Sequence, residues 1–577
     1  MGNNKLGGRK TVRRIGFSLA CVALIIGGCV EAGQQSATTS KTRTPASTDR
    51  GGFSHYGSYL AAKIARDTSD TASASEFFDL ALSADPDNPT LVLRAFQAAM
   101  TEGRMERALE LSGPRLEYAP DAPLARTLLA VEALRVGDAD AAELHLAKHR
   151  NDAFANLLRP ILLAWAALLD NDVDKAIARL EPLATRKSFA VFHGYHKALI
   201  LDVAGRTEAA AEAYRTTYDS GAKSSARIVK AYASFLFRTG KIDRAKEIVE
   251  VYLAQQPRNS IARHALVELY AGRAPQPMAS TPQEGAAEAF FGVASSLARE
   301  RSQSVARIHA HLALYLHPDL DTALVLLGEI NDRQQRWQRS IDLYKRVPQN
   351  SAFKWESRVR IADNLHRLNR VEEALELLRK MADERPENID PLITIGDILR
   401  GEQRYSEAAE AYGEGLARIR IPQSHHWTLY YSRGIAYERS NQWDKAEPDF
   451  LKALELKPNQ PLVLNYLGYS WIEKQKNLDQ ARGMIEKAVE QRPNDGFIVD
   501  SLGWALYRIG EYREAVRHLQ RAVKLRPEDP ILNDHLGDAY WQVGRRTEAR
   551  FQWQHALEFG PEDDVAEEIK RKLRSGI

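Results

Sequence analysis

Between Leu464 and Pro561 the apolar and polar positions follow one order three times over. The copies read L-N-Y-L-G-Y-S-W…A…A…P, then V-D-S-L-G-W-A-L-Y…A…A…P, then N-D-H-L-G-D-A-Y-W…A…A…P. Their glycines, Gly468, Gly503 and Gly537, lie 35 and 34 residues apart. Each is followed by an alanine pair and a proline: Ala481, Ala488 and Pro493; Ala515, Ala522 and Pro527; Ala549, Ala556 and Pro561. Small side chains at fixed places let two helices cross closely, where larger ones would hold them apart. The proline ends the second helix, because it lacks an N–H and disfavours helix in the residue before it. One unit is therefore a helix, a tight turn at Gly510 or Gly544, a second helix and a stop. Such a hairpin cannot bury its own apolar face, so successive hairpins are expected to stack.

The same phase runs back through the chain in weaker form. The small position of the first helix falls at Ala62, Phe96, Ala130, Ala164, Ala198 and Ala233, and the second-helix alanine at Ala74, Ala108, Ala142, Ala176, Ala210 and Ala245. Ser260 to Gly272 reads as one more first helix. Arg273 to Glu284 then carries three prolines and predicts a loop in place of a second helix, and a hinge between two lobes. Units resume at Ala294, Gly328, Ala362 and Gly396, and after an insertion near Arg418 to His426 they continue at Gly434 and the three strong copies. The pattern predicts 14 complete repeats and one half repeat. They are arranged as an array over 53–272, a hinge at 273–284, a second array over 285–562 with its strongest repeats at 428–561, and a capping helix over 563–577.

This period, with its Leu-Gly pair and paired alanines, resembles the tetratricopeptide repeat (TPR) family. The resemblance implies an all-α fold, a TPR α-solenoid wound as a right-handed superhelix. It also implies that the first helix of each unit lines a concave groove where protein partners lie as extended peptides or helices. Carried onto the strong copies, the groove positions are Tyr431, Asn465, Asp500 and Asp534 in one row. A second row is Tyr469, Trp504 and Asp538, and a third is Ile472, Tyr507 and Trp541. Aromatic rings beside Asn and Asp suit recognition of an extended chain, since rings supply buried area and polar groups pair with its backbone. For Trp504 and Trp541, packing between repeats is an equal alternative. Asp500 and Asp534 are expected in the groove, because an unpaired carboxylate between packed helices is costly. The family's tail-binding clamp needs a Lys followed four residues later by an Asn, and Lys230 is followed by Ser234 instead.

The amino terminus departs from this grammar. Met1 to Arg14 is cationic, and Ile15 to Ile26 is apolar but too short to span a bilayer, so residues 1–28 read as a signal peptide. The ending Ile26-Gly27-Gly28-Cys29 resembles a bacterial lipobox, with Gly27 where Ala or Ser is more usual. That resemblance implies lipidation at Cys29, and Val30 in place of Asp implies the outer membrane, facing the periplasm. Inner-membrane retention, an uncleaved anchor and secretion are the alternatives. Residues 29–52 are rich in Ser, Thr, Gln, Ala and Gly and read as a lipidated, disordered tether reaching roughly 25 to 30 Å.

Charge and chemistry alter this picture little. The 79 basic and 76 acidic residues become 74 and 76 once Lys5, Arg9, Lys10, Arg13 and Arg14 are set aside, so no basic footprint points to nucleic acid. Both cysteines, Cys21 and Cys29, fall in the first 30 residues, which leaves no thiolate site in the repeats. The repeats leave no stretch for a catalytic domain, and phosphate-loop, zinc-protease and nucleophile-elbow motifs are missing, so no enzyme and no cofactor are expected. The pairs His145 and His149, and His193 and His196, have helical spacing without a third ligand, so no metal is expected and they read as surface residues. Lipobox and array together resemble envelope lipoproteins that act as adaptors for carboxyl-terminal processing proteases. The alternative is an assembly lipoprotein for a polysaccharide exporter, secretin or pilus. The expected partners are thus envelope proteins, such as a protease or an assembly-machine subunit, and the membrane through the lipid anchor.

Overall fold

The computed structural model describes residues 55–68, 70–148, 155–221, 225–298 and 302–577. They form thirty α-helices, with no strand among the described residues. Fourteen hairpins, one unpaired helix and one closing helix make up the thirty, which matches the repeat count read from the sequence. The signal segment, Cys29 and the tether lie outside the described residues.

Packing divides the chain into two compact units that meet between Pro391 and Leu392. The first unit opens with six hairpins: α1 (His55–Asp67) and α2 (Thr71–Ala84), α3 (Pro89–Glu102) and α4 (Met105–Tyr118), α5 (Pro123–Val136) and α6 (Ala139–Ala147), α7 (Ala155–Leu169) and α8 (Val173–Ala184), α9 (Ala190–Val203) and α10 (Thr207–Asp219), α11 (Ala226–Arg238) and α12 (Ile242–Gln255). The unpaired α13 (Ser260–Tyr270) follows. Three more hairpins complete the unit: α14 (Pro282–Leu297) and α15 (Gln303–Leu316), α16 (Asp321–Arg333) and α17 (Trp337–Arg346), α18 (Lys354–Arg367) and α19 (Val371–Glu384). The second unit holds α20 (Asp390–Gly401) and α21 (Tyr405–Ala417), α22 (Trp427–Arg439) and α23 (Trp443–Leu456), α24 (Pro461–Glu473) and α25 (Leu478–Gln491), α26 (Gly496–Arg508) and α27 (Tyr512–Leu525), α28 (Pro530–Gln542) and α29 (Arg546–Glu558), and the closing α30 (Asp563–Ser575).

Wherever the turn of a hairpin is fully described, two local devices make it. Between its helices one residue takes a left-handed conformation, for which glycine has no Cβ penalty, as at Gly510 (φ 88°). Where the repeat lacks that glycine, Asn171, Gln335, Asn369, Gln403, Asn441 and Gln475 adopt positive φ instead. The helices then cross at the small positions. A Cβ on Gly503 would sit 2.5 Å from Leu519 Cγ, and Ala515 and Ala522 opposite are fully buried.

The expected hinge at Arg273–Glu284 is not where the chain divides, and the arrays drawn at 53–272 and 285–562 are redrawn accordingly. Both sides of that segment belong to the first unit. Pro275 and Ala279 are buried, and Ser234 Oγ donates to the Pro275 carbonyl at 2.6 Å. Pro282 to Glu284 already belong to α14, whose first turn is closed reciprocally. Glu284 N donates to Thr281 Oγ1 at 3.2 Å, and Ser280 N donates to Glu284 Oε2 at 2.6 Å. The segment is held because the hairpin that it leads into, α14–α15, packs on α3, α5, α7 and α9 of the same unit.

Candidate functional site

The first unit therefore fills its own first-helix face. Gly285 lies against Trp165, where a Cβ would strike the indole ring. Three residues along α14, the buried Glu288 accepts from Tyr195 Oη at 3.1 Å and pairs with Arg227, whose guanidinium lies 4.3 Å over the Phe291 ring. Gln283 Nε2 donates to the Leu134 carbonyl at 3.1 Å, and Tyr315 Oη on α15 donates to Glu132 Oε2 at 2.8 Å. At the far edge Arg307 Nε donates to the Thr101 carbonyl at 3.4 Å, and burial lowers its pKa to about 10. Glu102 takes Arg307, Arg339 and the Thr71 hydroxyl. Arg336 Nη1 reaches Thr71 Oγ1 at 2.8 Å across 265 sequence positions. Apart from Thr71 with Glu102 in the next hairpin, these pairings skip over neighbouring repeats, and no periodicity in the sequence announces them.

The second unit has no such filling hairpin, since its helices pack on their neighbours in the stack. Its predicted groove positions separate into two sets. Tyr431 is buried among Trp427, Phe450 and Tyr466, and Ile472 is fully buried, so both belong to the core. Asp500, Asp534 and Asp538 are also buried, which corrects the expectation that they face a partner. Each has a basic or donor group supplied by the next turn of the stack, so the penalty that seemed to bar them from the interior is met. His535 Nδ1 lies 3.0 and 3.1 Å from the Asp500 carboxylate oxygens. Lys572, on the closing helix, donates to Asp534 at 2.8 and 2.9 Å and to Asp538 at 2.9 Å. Trp553 Nε1 donates to Asp538 Oδ1 at 2.9 Å.

This buried row is electrostatically uneven. Burial, joined by the neighbouring Asp534 charge, raises Asp538 to about 6. Burial opposes the imidazolium of His535, but the Asp500 carboxylate outweighs it and holds the pKa above the usual histidine value. Burial likewise opposes the Lys572 ammonium, and the two aspartates overcome it. The sequence reading named the aspartates but missed His535 and Lys572, which lie 35 and 38 residues beyond Asp500 and Asp534.

The second set remains half-buried: Asn465 and Tyr469 on α24, Trp504 and Tyr507 on α26, and Trp541 on α28. Trp504 stacks on His535 at 4.0 Å between ring centres and on Tyr507 at 4.8 Å. Its Nε1 donates to Glu473 Oε1 at 2.5 Å, and Arg508 Nη1 holds the other Glu473 oxygen at 2.9 Å. Trp541 packs on Trp553 at 5.4 Å with Arg546 at 5.1 Å from its ring centre. Trp504 thus packs between repeats, on His535 of the next and Glu473 of the preceding one, whereas the Trp541 contacts with Trp553 and Arg546 lie within its own hairpin. Asn465 Oδ1 is buried without a hydrogen-bond partner.

Histidines read as surface residues are partly interior. His196 is buried and accepts from Trp165 Nε1 at 3.2 Å, and burial pushes its pKa down to about 3, which keeps it neutral. No cluster of three His, Cys, Asp or Glu suited to a metal occurs among the described residues. Among them, too, no helix is long and apolar enough to cross a membrane.

Comparison with known proteins agrees with the repeat reading. Models described as tetratricopeptide repeat match residues 195–260 and 427–460, and one described as TPR repeat matches 503–544. The TPR repeat-containing protein PA4667 of Pseudomonas aeruginosa is 26% identical over 202 residues, 35% of this chain and 33% of that protein. The chain thus matches about a third of that relative's length. Among solved structures, the APC/C hetero-tetramer Cut9-Hcn1 is similar over 85% of this chain and 96% of its own, at 16% identity and a TM-score of 0.35. Yeast Tom70 is similar over 90% of this chain and 95% of its own, at 13% identity and 0.29. YrrB, described as a TPR protein with an unusual peptide-binding site, covers 34% of this chain and 97% of its own, at 22% identity and 0.27. The chain thus carries tetratricopeptide repeats at 195–260, 427–460 and 503–544, set within a stack of helical hairpins.

Proposed function

We propose that the protein is a non-enzymatic, lipid-anchored scaffold of the bacterial cell envelope, an adaptor that presents partner proteins to a carboxyl-terminal processing protease. The observation that carries the partner site is the contrast between the two units: the first-helix face of the first is covered by α14–α15, whereas that of the second keeps Asn465, Tyr469, Trp504 and Tyr507 half-buried. A partner segment laid across α24 and α26 would bury those rings and meet the Asn465 amide. Anchoring at Cys29 would hold the repeats near the outer membrane on the tether of residues 29–52.

The test has two parts. Cys29→Ser should move the protein from the membrane fraction to the soluble envelope fraction, and unchanged fractionation would remove the anchor from this reading. Asn465→Ala combined with Tyr469→Ala should weaken capture of a processing protease or its substrates from envelope extracts while circular dichroism stays unchanged. Capture at full strength by this variant would place the partner elsewhere. Asp500 is unsuited to the experiment because its carboxylate is bonded to His535.

A further inference from the structure

The first-helix faces of the two units share a local pattern, and one of them already has its occupant. Trp165 directly follows Ala164, the small position of α7, and Trp504 directly follows Gly503, the small position of α26. In each case the histidine 31 residues on, in the next first helix, meets the indole. His196 Nδ1 accepts from Trp165 Nε1 at 3.2 Å, and His535 stacks on Trp504 at 4.0 Å between ring centres. Trp165 is fully buried, because α14 lies across it with Gly285 against the ring. Trp504 is half-buried, and α26 packs on its neighbours in the stack, α24, α25, α27 and α28.

The contact edge of α14 gives the requirements of such a seat. Gly285 lies on Trp165, Glu288 meets Tyr195 and Arg227, and Gly292 faces Phe192, where a Cβ would come within 3.1 Å of the ring. Glycine lets the helix backbone approach the rings, and one charged side chain fixes its register. Tyr195 and Phe192 stand three and six residues before Ala198, as Asp534 and Ile531 stand before Gly537. Val565 on α30, 34 residues beyond Ile531, takes the place of Arg227. The second unit therefore keeps the apolar part of the seat and reverses its charge: the hydroxyl and guanidinium that hold Glu288 give way to a carboxylate and a valine. Around that carboxylate, Asp500, Asp534 and Asp538 face two cations, His535 and Lys572, and Glu568 comes within 3.9 Å of the same ammonium. The row keeps an excess of negative charge, so a further acid is repelled there and a cation attracted.

We propose that the first-helix face of the second unit takes an α-helix of the partner, lying on α26 as α14 lies on α7, with a glycine against Trp504 and a lysine or arginine three residues on, directed toward Asp534. Residues three apart share one helix face, so a single Gly-x-x-basic edge makes both contacts. This inference rests on the partner face proposed above and specifies its occupant.

The probe is a labelled peptide of residues 281–298 carrying Glu288→Lys, stapled on the face away from Gly285 because so short a helix is marginal alone. It is titrated into the full chain, whose own α14 keeps the first unit filled, and binding is read by fluorescence anisotropy. Saturable binding is expected. The peptide that retains Glu288 should bind about tenfold more weakly, since like charges then face one another. Adding Gly285→Leu to the probe should weaken it by about tenfold or more, through crowding against Trp504. A photo-crosslinker at the Gln283 position should label α24 near Ile472, which lies four residues after Gly468 as Leu134 lies four after Ala130. Absence of binding, equal affinity for either comparison peptide, or labelling confined to the first unit overturns the proposal. Equal binding by an unstapled peptide with Ala289→Pro gives the face to an extended chain, and a dimer in sedimentation that the peptide dissociates gives it to a second copy; either result overturns it too. Every arm uses unaltered protein. If no peptide binds while envelope capture still depends on Asn465 and Tyr469, the partner face stands and only the helical occupant falls. If the peptide binds while capture ignores those residues, the helix seat stands and the captured protein docks elsewhere.

Discussion

Single residues decide whether a repeat tolerates its own turn. Gln403 sits at φ 58°, a conformation that an L side chain enters only at a penalty, in the turn position that Gly510 fills three hairpins later. Replacing Gln403 with Gly should stabilise the second unit by about 0.5 to 1 kcal/mol, after allowing for the extra freedom of glycine in the unfolded chain. Urea unfolding would measure it, and a loss of stability would mean the turn is held by the glutamine side chain. The Asp500–His535 pair gives a prediction of opposite kind. Its folded pKa is raised above the ordinary histidine value of 6.5, so its stabilisation is fully present below pH 6.5 and is lost as pH rises through the higher folded value. Melting temperature should fall over that window, and Asp500→Asn should flatten the fall. This residue also marks the limit of what the sequence discloses. Gly503, Ala515 and Ala522 were legible because crossing helices exclude bulk, and their small size is written in the chain. Asp500 was not, since an aspartate is spelled alike whether it meets water or a histidine 35 positions on.

At the scale of helices, each crossing is governed by the smallest side chain in it. Ala515 on α27 is fully buried, one turn before Leu519, the residue that meets Gly503 of α26. Ala515→Trp should overpack that crossing and lower stability by about 1 to 3 kcal/mol, and an unaltered denaturant midpoint would contradict the assigned register. The start of α14 offers a second check. Thr281→Ala removes the side-chain oxygen that accepts from Glu284 N and should destabilise the first unit by about 1 kcal/mol, read as a shift in the same midpoint. The sequence held the capping signal, Thr281-Pro282-Gln283-Glu284, but the three prolines around it dominated the reading and suggested a joint. Helix number and order were recoverable because every hairpin obeys a local rule. The seating of α14 on α7 and α9 was not, for it depends on a glycine meeting a tryptophan 120 residues earlier.

For the molecule as a whole, stacked repeats ordinarily behave as a chain of near neighbours, each stabilised by the one before and the one after. The second unit has that character, with Lys572 of the closing helix finishing the row of carboxylates begun upstream. The first unit does not. Glu288→Ala would leave Arg227 without its buried carboxylate and should destabilise by on the order of 3 kcal/mol, with hydrogen exchange quickening on α9 and α11 together with α14. Exchange confined to α14 would show that the hairpin is only loosely coupled to the helices beneath it. The link from Arg336 back to Thr71 carries a further consequence. Arrays of this kind can grow or shrink by whole units during evolution, because an added hairpin merely lengthens the stack. Inserting one between α3 and α13 would carry the two ends of this closure past one another and strand the groups that now meet. Repeat number is therefore a fixed dimension of the first unit, like the count of staves in a barrel, whereas the second unit is free to gain or lose members ahead of its final three helices.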